Sequence, residues 1–293
     1  MPEEKLLFVI NPVSGDIEKD DLKTQVRNFM KERDKQVEFF HTTGENDKQK
    51  ITDKLEELQP ETIVAVGGDG TCNLVAQTIV NKPIQMGILP LGSANGMASE
   101  LNLPTTVDEN LRLITTGKSK KTDVLKINED HICLHLSDIG FNAQLINTFE
   151  ESDSRGMFGY TKSFIEEFGN AQPASFEITL NDSTFSQKAF MVVLANASKF
   201  GTGAVINPEG KVDDGLFELV IIRPESFTEF LKMLVPFYTR RIHTLDFIDT
   251  YKCKKVQIKN PERQTLQIDG EIIGQPLQVN VEILPRRVEM IIP

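Results

Sequence analysis

The sequence has no apolar run approaching the roughly 20 residues a membrane span requires, so none of its 293 residues reads as part of a transmembrane helix. It begins Met1-Pro2-Glu3-Glu4-Lys5 and enters a strand-like stretch at once, without the basic end and apolar core of a signal peptide. A cytoplasmic protein, peripheral to a membrane at most, is the expectation. Cysteine is scarce: Cys72, Cys133 and Cys253 are odd in number and widely spaced. That fits reduced cytosolic thiols better than a disulfide framework or a zinc site. The four histidines, His41, His131, His135 and His243, show no ligand spacing. Positive charge is also short. A net charge of -11 excludes the broad basic face with which nucleic-acid binders displace counterions. It equally excludes adhesion of the whole surface to anionic lipid. Local basic clusters remain at Lys118 to Lys121, Arg240-Arg241, Lys252 to Lys255 and Arg286-Arg287, and they read as solvated surface.

The 39% hydrophobic and 26% charged content is that of a folded soluble protein, and the length suits two domains. The first third alternates strand and helix signals. Apolar runs at Leu6 to Ile10, Val37 to Phe40, Thr62 to Val66 and Met86 to Leu89 are separated by helical spacings. These spacings are Leu22, Val26, Phe29 and Met30, then Ile51, Leu55 and Leu58, then Leu74, Val75 and Ile79. The order βαβαβαβ predicts a doubly wound parallel sheet. After Asp123 strand patterns dominate, at 124–127, 131–139, 175–180, 189–196, 216–222, 245–251, 255–259, 265–268, 277–284 and 287–292. Helical spacing interrupts them only near Tyr160 to Phe168 and Phe227 to Leu234. The expected fold is therefore an α/β doubly wound parallel-sheet domain over 1–123 and an antiparallel β-rich sandwich over 124–284. The final strand, within 285–293, returns to the first domain.

Three loops rich in small residues leave the carboxyl edge of the parallel sheet: Asn11-Pro12-Val13-Ser14-Gly15, Gly67-Gly68-Asp69-Gly70-Thr71, and Pro90-Leu91-Gly92-Ser93-Ala94-Asn95. Glycines let the backbone approach a ligand closely, and the helix that follows presents free N–H groups to an anion. Gly67 to Gly70 alone reads equally as a tight turn. Ligands of doubly wound sheets bind at this edge, and three such loops together favour a phosphate site. None is a G-x-x-x-x-G-K-[ST] loop, since no lysine follows the glycines. Asp69 requires a metal ion or a transferable proton between its carboxylate and a phosphate. Asp269-Gly270 reads as a hairpin turn, and Lys211 to Leu216 as a turn before a strand.

Together with Asn73, Asp213-Asp214-Gly215-Leu216 and Asp269-Gly270-Glu271, these loops resemble the diacylglycerol-kinase catalytic family. That family takes in bacterial lipid kinases and the sphingosine kinases. The glycine loop alone is shared with NAD kinases and phosphofructokinases; the five motifs in order are specific.

The resemblance implies an NAD-kinase-like fold for the first domain. It implies an ATP- and Mg2+-dependent kinase of lipid metabolism and phospholipid biosynthesis, phosphorylating a diacylglycerol- or sphingoid-type alcohol at the cleft. ATP would be held by Asn11, Pro12, Val13, Ser14, Gly15, Thr42 (with Thr43 as the neighbouring choice), Gly67, Gly68, Asp69, Gly70, Thr71, Asn73, Ser93 and Asn95. Glu271 would be the proton acceptor and Asp69 would lie near magnesium and phosphate; Asp69 is the rival base, as sphingosine-type members suggest. A structural magnesium would take Asp214 with the carbonyls of Lys211 and Leu216, and Asp123 would join through water. Diacylglycerol-type members carry an aspartate where this chain has Gly96, while Gln144 stands where sphingosine-type members place one. Met157, Phe158, Tyr160 and Phe164 could line an acyl pocket or be ordinary core. Partners would be the lipid alcohol and, transiently, a membrane surface, with no nucleic acid and with room for a homodimer. The rival functions are an NAD kinase and a catalytically weak lipid- or nucleotide-binding regulator.

Overall fold

The computed structural model describes residues 4–15, 18–93, 95–141, 172–200 and 204–293. The chain divides into two compact units, Met1–Thr122 with Arg286–Pro293, and Asp123–Pro285.

In the first unit β1 (Lys5–Ile10), β2 (Gln36–His41), β3 (Thr62–Gly67) and β4 (Gln85–Pro90) lie in the order β2-β1-β3-β4, every pair parallel. The last residues of β16 (Gln278–Ile292) extend the sheet, with Glu289 and Met290 pairing parallel to Gln85 and Met86. Apolar residues run unbroken through β1 and β3 because helices cover both faces. Leu6, Phe8 and Ile10 pack with Leu22, Val26 and Met30 of α1 (Lys19–Lys31) and with Leu111 and Ile114 of α5 (Val107–Thr116). The alternate residues, Leu7 and Val9, turn to the side of α2 (Asp47–Leu58) and α3 (Asp69–Ile79). A five-residue α4 (Gly96–Glu100) follows β4. The chain leaves β1 toward β2 on one side and returns to β3 on the other. That reversal brings the loops after β1 and β3 side by side.

The second unit is a sandwich. One antiparallel sheet has the order β12-β11-β10-β7-β14-β15, made of Ile248–Cys253, Phe217–Ile222, Met191–Ala195, Leu136–Gly140, Leu266–Ile268 and Glu271–Gly274. Opposite it, β13 (Lys255–Lys259) pairs with the first part of β16 and with β8 (Ala174–Leu180), which forms a hairpin with β9 (Ser183–Ala189). β5 (Lys118–Ile127), shared in sequence with the first unit, pairs with β6 (His131–Cys133). Phe176, Ile178, Val256, Ile258, Val279 and Val281 meet Ile139, Val192, Leu194, Phe217, Leu219 and Ile221 in one apolar layer. The outer face of the first sheet packs on Phe230, Met233 and Phe237 of α6 (Phe227–Thr239).

Several strand boundaries differ from the sequence reading, and each has a local cause. The run 131–139 is two strands, β6 and β7, broken at Leu134 and His135, whose N–H groups turn to the Asp269 carboxylate. Residues 189–196 divide between the end of β9 and β10 at Phe190. The strand expected at 245 begins at Ile248, after a 3-10 turn at Ile242–Thr244. The two terminal strands are one, β16, which passes through Arg286 at φ 57°. The helix expected at Tyr160 to Phe168, the acyl-pocket residues Met157, Phe158, Tyr160 and Phe164, and Gln144 lie outside the described residues. Among the described residues no helix is long and apolar enough to cross a membrane.

Candidate active site

The loop after β1 is set by Asn11. Its side-chain oxygen accepts the Val13 N–H at 3.1 Å, its carbonyl accepts the Ser14 N–H at 3.3 Å, and its own N–H donates to Val66 of β3 at 3.0 Å. Gly15, at φ 69°, lies against the loop after β4: a Cβ there would sit 2.8 Å from the Leu91 carbonyl oxygen. The Lys19 ammonium, in the first turn of α1, donates to the Ser14 carbonyl. The G-x-x-x-x-G-K-[ST] pattern, with its lysine directly after the glycines, does not find this cation. Its signal was a lysine opening the helix that follows Ser14-Gly15.

The second and third loops each require a glycine. A Cβ on Gly67 would fall 2.3 Å from the Thr71 hydroxyl and 3.3 Å from the Asn11 Cβ. A Cβ on Gly92 would fall 2.3 Å from the Gly68 Cα, so the second and third loops touch backbone to backbone. Gly68 is the N-cap of α3 and has no side chain to cover the first-turn N–H groups, which carry the positive end of the helix dipole. Thr71 and Asn73 are buried.

Asp69 is the clasp between these loops. Its two carboxylate oxygens accept the N–H of Gly96 at 2.7 Å and that of Met97 at 3.0 Å. Position 96 thus serves Asp69 through its backbone. Asn95, at φ 51°, closes the third loop on itself: its Oδ1 accepts the Gly92 N–H at 2.9 Å and its amide donates to the Gly92 carbonyl at 2.6 Å. The threonines separate as well. Thr43 gives its N–H and hydroxyl to Asp47, whereas Thr42 is tied by its N–H to Ile10 at 3.0 Å and is half-buried at the strand end. Burial pushes the Asp47 carboxyl upward, but the Thr43 and Gly44 N–H groups outweigh it and hold the group below the usual carboxylate range. Removing this clasp, as in Asp47→Ala, is expected to cost about 1–2 kcal/mol in urea unfolding. It should also loosen the Thr42 loop toward hydrogen exchange.

In the second unit Asp269 and Gly270, at φ 49° and 90°, form a two-residue hairpin turn between β14 and β15, and Glu271 opens β15 with an exposed side chain. Asp269 is buried, and its carboxylate accepts the N–H groups of Leu134, His135 and Leu136 and the Cys133 thiol. Burial first, and then the Asp269 charge, push the Cys133 thiol well up, which keeps it protonated. Asp123 is fully buried; its carboxylate takes the Gly215 N–H at 2.7 Å and its N–H donates to Val212 at 2.7 Å. It therefore meets the 211–216 turn directly at the Gly215 N–H. Asp214 accepts the Leu216 N–H at 3.0 Å and is exposed, as is Lys211. A cleft of about 580 Å3, lined in part by Lys188, Phe190, Arg223, Glu225 and Phe227, contains none of the residues expected in the site.

The model of the diacylglycerol kinase catalytic domain matches residues 5–127, and that of the YegS C-terminal NAD kinase beta sandwich-like domain matches residues 138–292. The chain belongs to this YegS-like lipid kinase family. A protein of Yersinia enterocolitica named "probable lipid kinase YegS-like" is 26% identical over 93% of this chain and 92% of its own length. One of Chromohalobacter salexigens with the same name is 29% identical over 71% and 69%. A crystal structure from Bacillus anthracis str. Sterne superposes with a TM-score of 0.82 at 23% identity, covering 100% of this chain and 98% of the other, and supports the fold.

Membership makes the protein a lipid kinase, and the domain models cover both the glycine loops and the Asp-Gly-Glu hairpin. In this lipid kinase the backbone contact at Gly92 leaves no room for a side chain. Gly92→Ala is expected to force the second and third loops apart. About 1–3 kcal/mol of stability should be lost in urea unfolding.

Proposed function

We propose that the protein transfers the γ-phosphoryl group of ATP to the hydroxyl of a diacylglycerol- or sphingoid-type lipid alcohol, in a Mg2+-dependent reaction. The observation that carries this reading is the Gly68–Gly92 contact held by Asp69, which packs bare backbone and an uncapped helix start where phosphate would lie. Asn11, Pro12, Val13, Ser14, Gly15, Thr42, Gly67, Gly68, Gly70, Thr71, Asn73, Ser93 and Asn95 line or brace the nucleotide site. Lys19 adds positive charge beside the first loop.

Phosphoryl transfer asks for positioning, charge neutralisation and a carboxylate to take one proton. Glu271 takes the proton of the acceptor hydroxyl, the alkoxide oxygen bonds to the γ-phosphorus, and the bond from that phosphorus to the bridging oxygen breaks to release ADP. Asp69 fixes the loops around the phosphates. At the 211–216 turn, where Asp214 accepts the Leu216 N–H and Asp123 braces Gly215, the Asp214 carboxylate and the Lys211 and Leu216 carbonyls would hold a hard cation such as Mg2+, which prefers oxygen ligands. Bound there, the ion would rigidify the turn. Among the described residues no group of three or more His, Cys, Asp or Glu side chains could hold a metal ion, so the Mg2+ reading relies on backbone carbonyls beside the single Asp214 carboxylate.

The test is incubation with labelled ATP and separate acceptors: diacylglycerol, monoacylglycerol, a sphingoid base, ceramide and NAD. Label in a lipid product supports the proposal. Label only in the NAD product overturns it in favour of the soluble acceptor, and no product in any arm overturns it in favour of the regulator. Chelation with excess EDTA is expected to remove turnover, and added Mg2+ to restore it.

A further inference from the structure

Helix α6 carries more apolar surface than its core contact uses. Phe230, Met233 and Phe237 face the sandwich and are buried. On the adjoining face Phe227, Leu231 and Val235 recur every fourth residue and are 46%, 39% and 68% exposed. An apolar arc of that width exceeds what one buried helix face requires. Three of the six large hydrophobics exposed among the described residues therefore stand in one line on one helix. Scattered exposed hydrophobics need no explanation, but a contiguous row is a mark of an interaction surface.

The charge around the row narrows the partner. Between Phe227 and His243 the cations Lys232, Arg240 and Arg241 face a single carboxylate, Glu229, in a chain whose net charge is -11. That carboxylate is turned back to accept the Glu225 N–H at 2.7 Å. Lys232, Arg240 and Arg241 are all exposed. Arg240 also reaches the Pro208 carbonyl at 2.7 Å, which pins the cationic end of the helix in place. An apolar row flanked by cations is the pattern of a helix lying in the interface of an anionic bilayer, with its apolar side chains among the acyl chains and its cations at the headgroups.

We propose that α6 is the membrane-docking face of this protein: Phe227, Leu231 and Val235 insert into an anionic lipid surface, and Lys232, Arg240 and Arg241 hold it there. This rests on the lipid kinase reading, because the face brings a water-soluble body to a substrate that resides in the bilayer.

The experiment is flotation of the full chain with vesicles of phosphatidylcholine alone or with 30 mol% phosphatidylglycerol (roughly the charge density at which basic segments respond). Activity is measured in parallel on detergent mixed micelles and on the same vesicles. The wild type is expected to float with the anionic vesicles and to lose binding as salt rises. Leu231→Glu/Val235→Glu should lower partitioning about tenfold or more, with turnover on vesicles falling alongside and turnover in micelles unchanged. Val235→Trp, at a site open enough to take it, should raise partitioning and guards against a variant that fails to fold. Equal flotation of the wild type and both variants overturns the proposal. So does a double glutamate variant that changes only the sedimentation of the protein, which would assign the row to a second copy of the chain. Failure of the wild type to phosphorylate lipid even in micelles strikes the kinase reading instead, and leaves flotation as the measure of the docking face.

Discussion

Glu271→Gln is expected to lower kcat by roughly 100- to 10,000-fold, the range for losing a general base, while nucleotide affinity and thermal stability stay at wild-type values. Glu271 opens β15 directly after a hairpin turn, with its side chain exposed rather than part of the core. An isosteric amide there keeps the size of the side chain and removes its proton-accepting capacity. Asp69 has a different standing, since both its oxygens already hold the α4 amides. Asp69→Asn turns one acceptor into a donor facing an N–H, so it should disturb the loops and raise the KM for ATP as well as lower kcat. A Glu271→Gln enzyme with wild-type kcat would move the base to Asp69. The split between kcat and KM separates the two carboxylates.

The sequence carried the parallel sheet because β1 and β3 are buried on both faces and read as unbroken apolar runs. Its three glycine loops were legible for the same reason, as they close those runs. The clasp between them was not, since Asp69 looked like a phosphate neighbour and its bond to Gly96 is made by backbone. Gly96 read as a missing acid because diacylglycerol-type members carry an aspartate there, and its N–H holds Asp69. Lys19 was hidden because its role depends on how the loop after β1 folds back toward α1. In the sandwich the strands were legible as segments, while their breaks depended on long-range partners such as the Asp269 carboxylate at Leu134 and His135. Asp269 itself read as an ordinary turn residue. Local turn chemistry gives an Asp-Gly hairpin with no sign that the aspartate is also a buried anchor.

That anchor leads to the largest expected effect on stability. The Asp269 carboxylate accepts the Leu134, His135 and Leu136 N–H groups at 2.8, 2.9 and 3.1 Å and the Cys133 thiol at 3.2 Å, with the residue only 6% exposed. Asp269→Ala leaves three buried N–H donors and the Cys133 thiol without this acceptor, each N–H costing about 1–3 kcal/mol, and a loss of about 4 kcal/mol or more is expected in urea unfolding. Asp269→Asn keeps one acceptor oxygen and tolerates the left-handed backbone at φ 49°, so it should fall between the alanine variant and the wild type. The turn also sets where Glu271 points, so both variants should lose kcat even at temperatures where they remain folded. Had Asp269 acted only as a catalytic carboxylate, the asparagine form would lose turnover at wild-type stability. Had it been only a turn residue, it would lose neither. The anchoring role requires both to fall together, stability in proportion to the acceptors removed and turnover through the displaced Glu271.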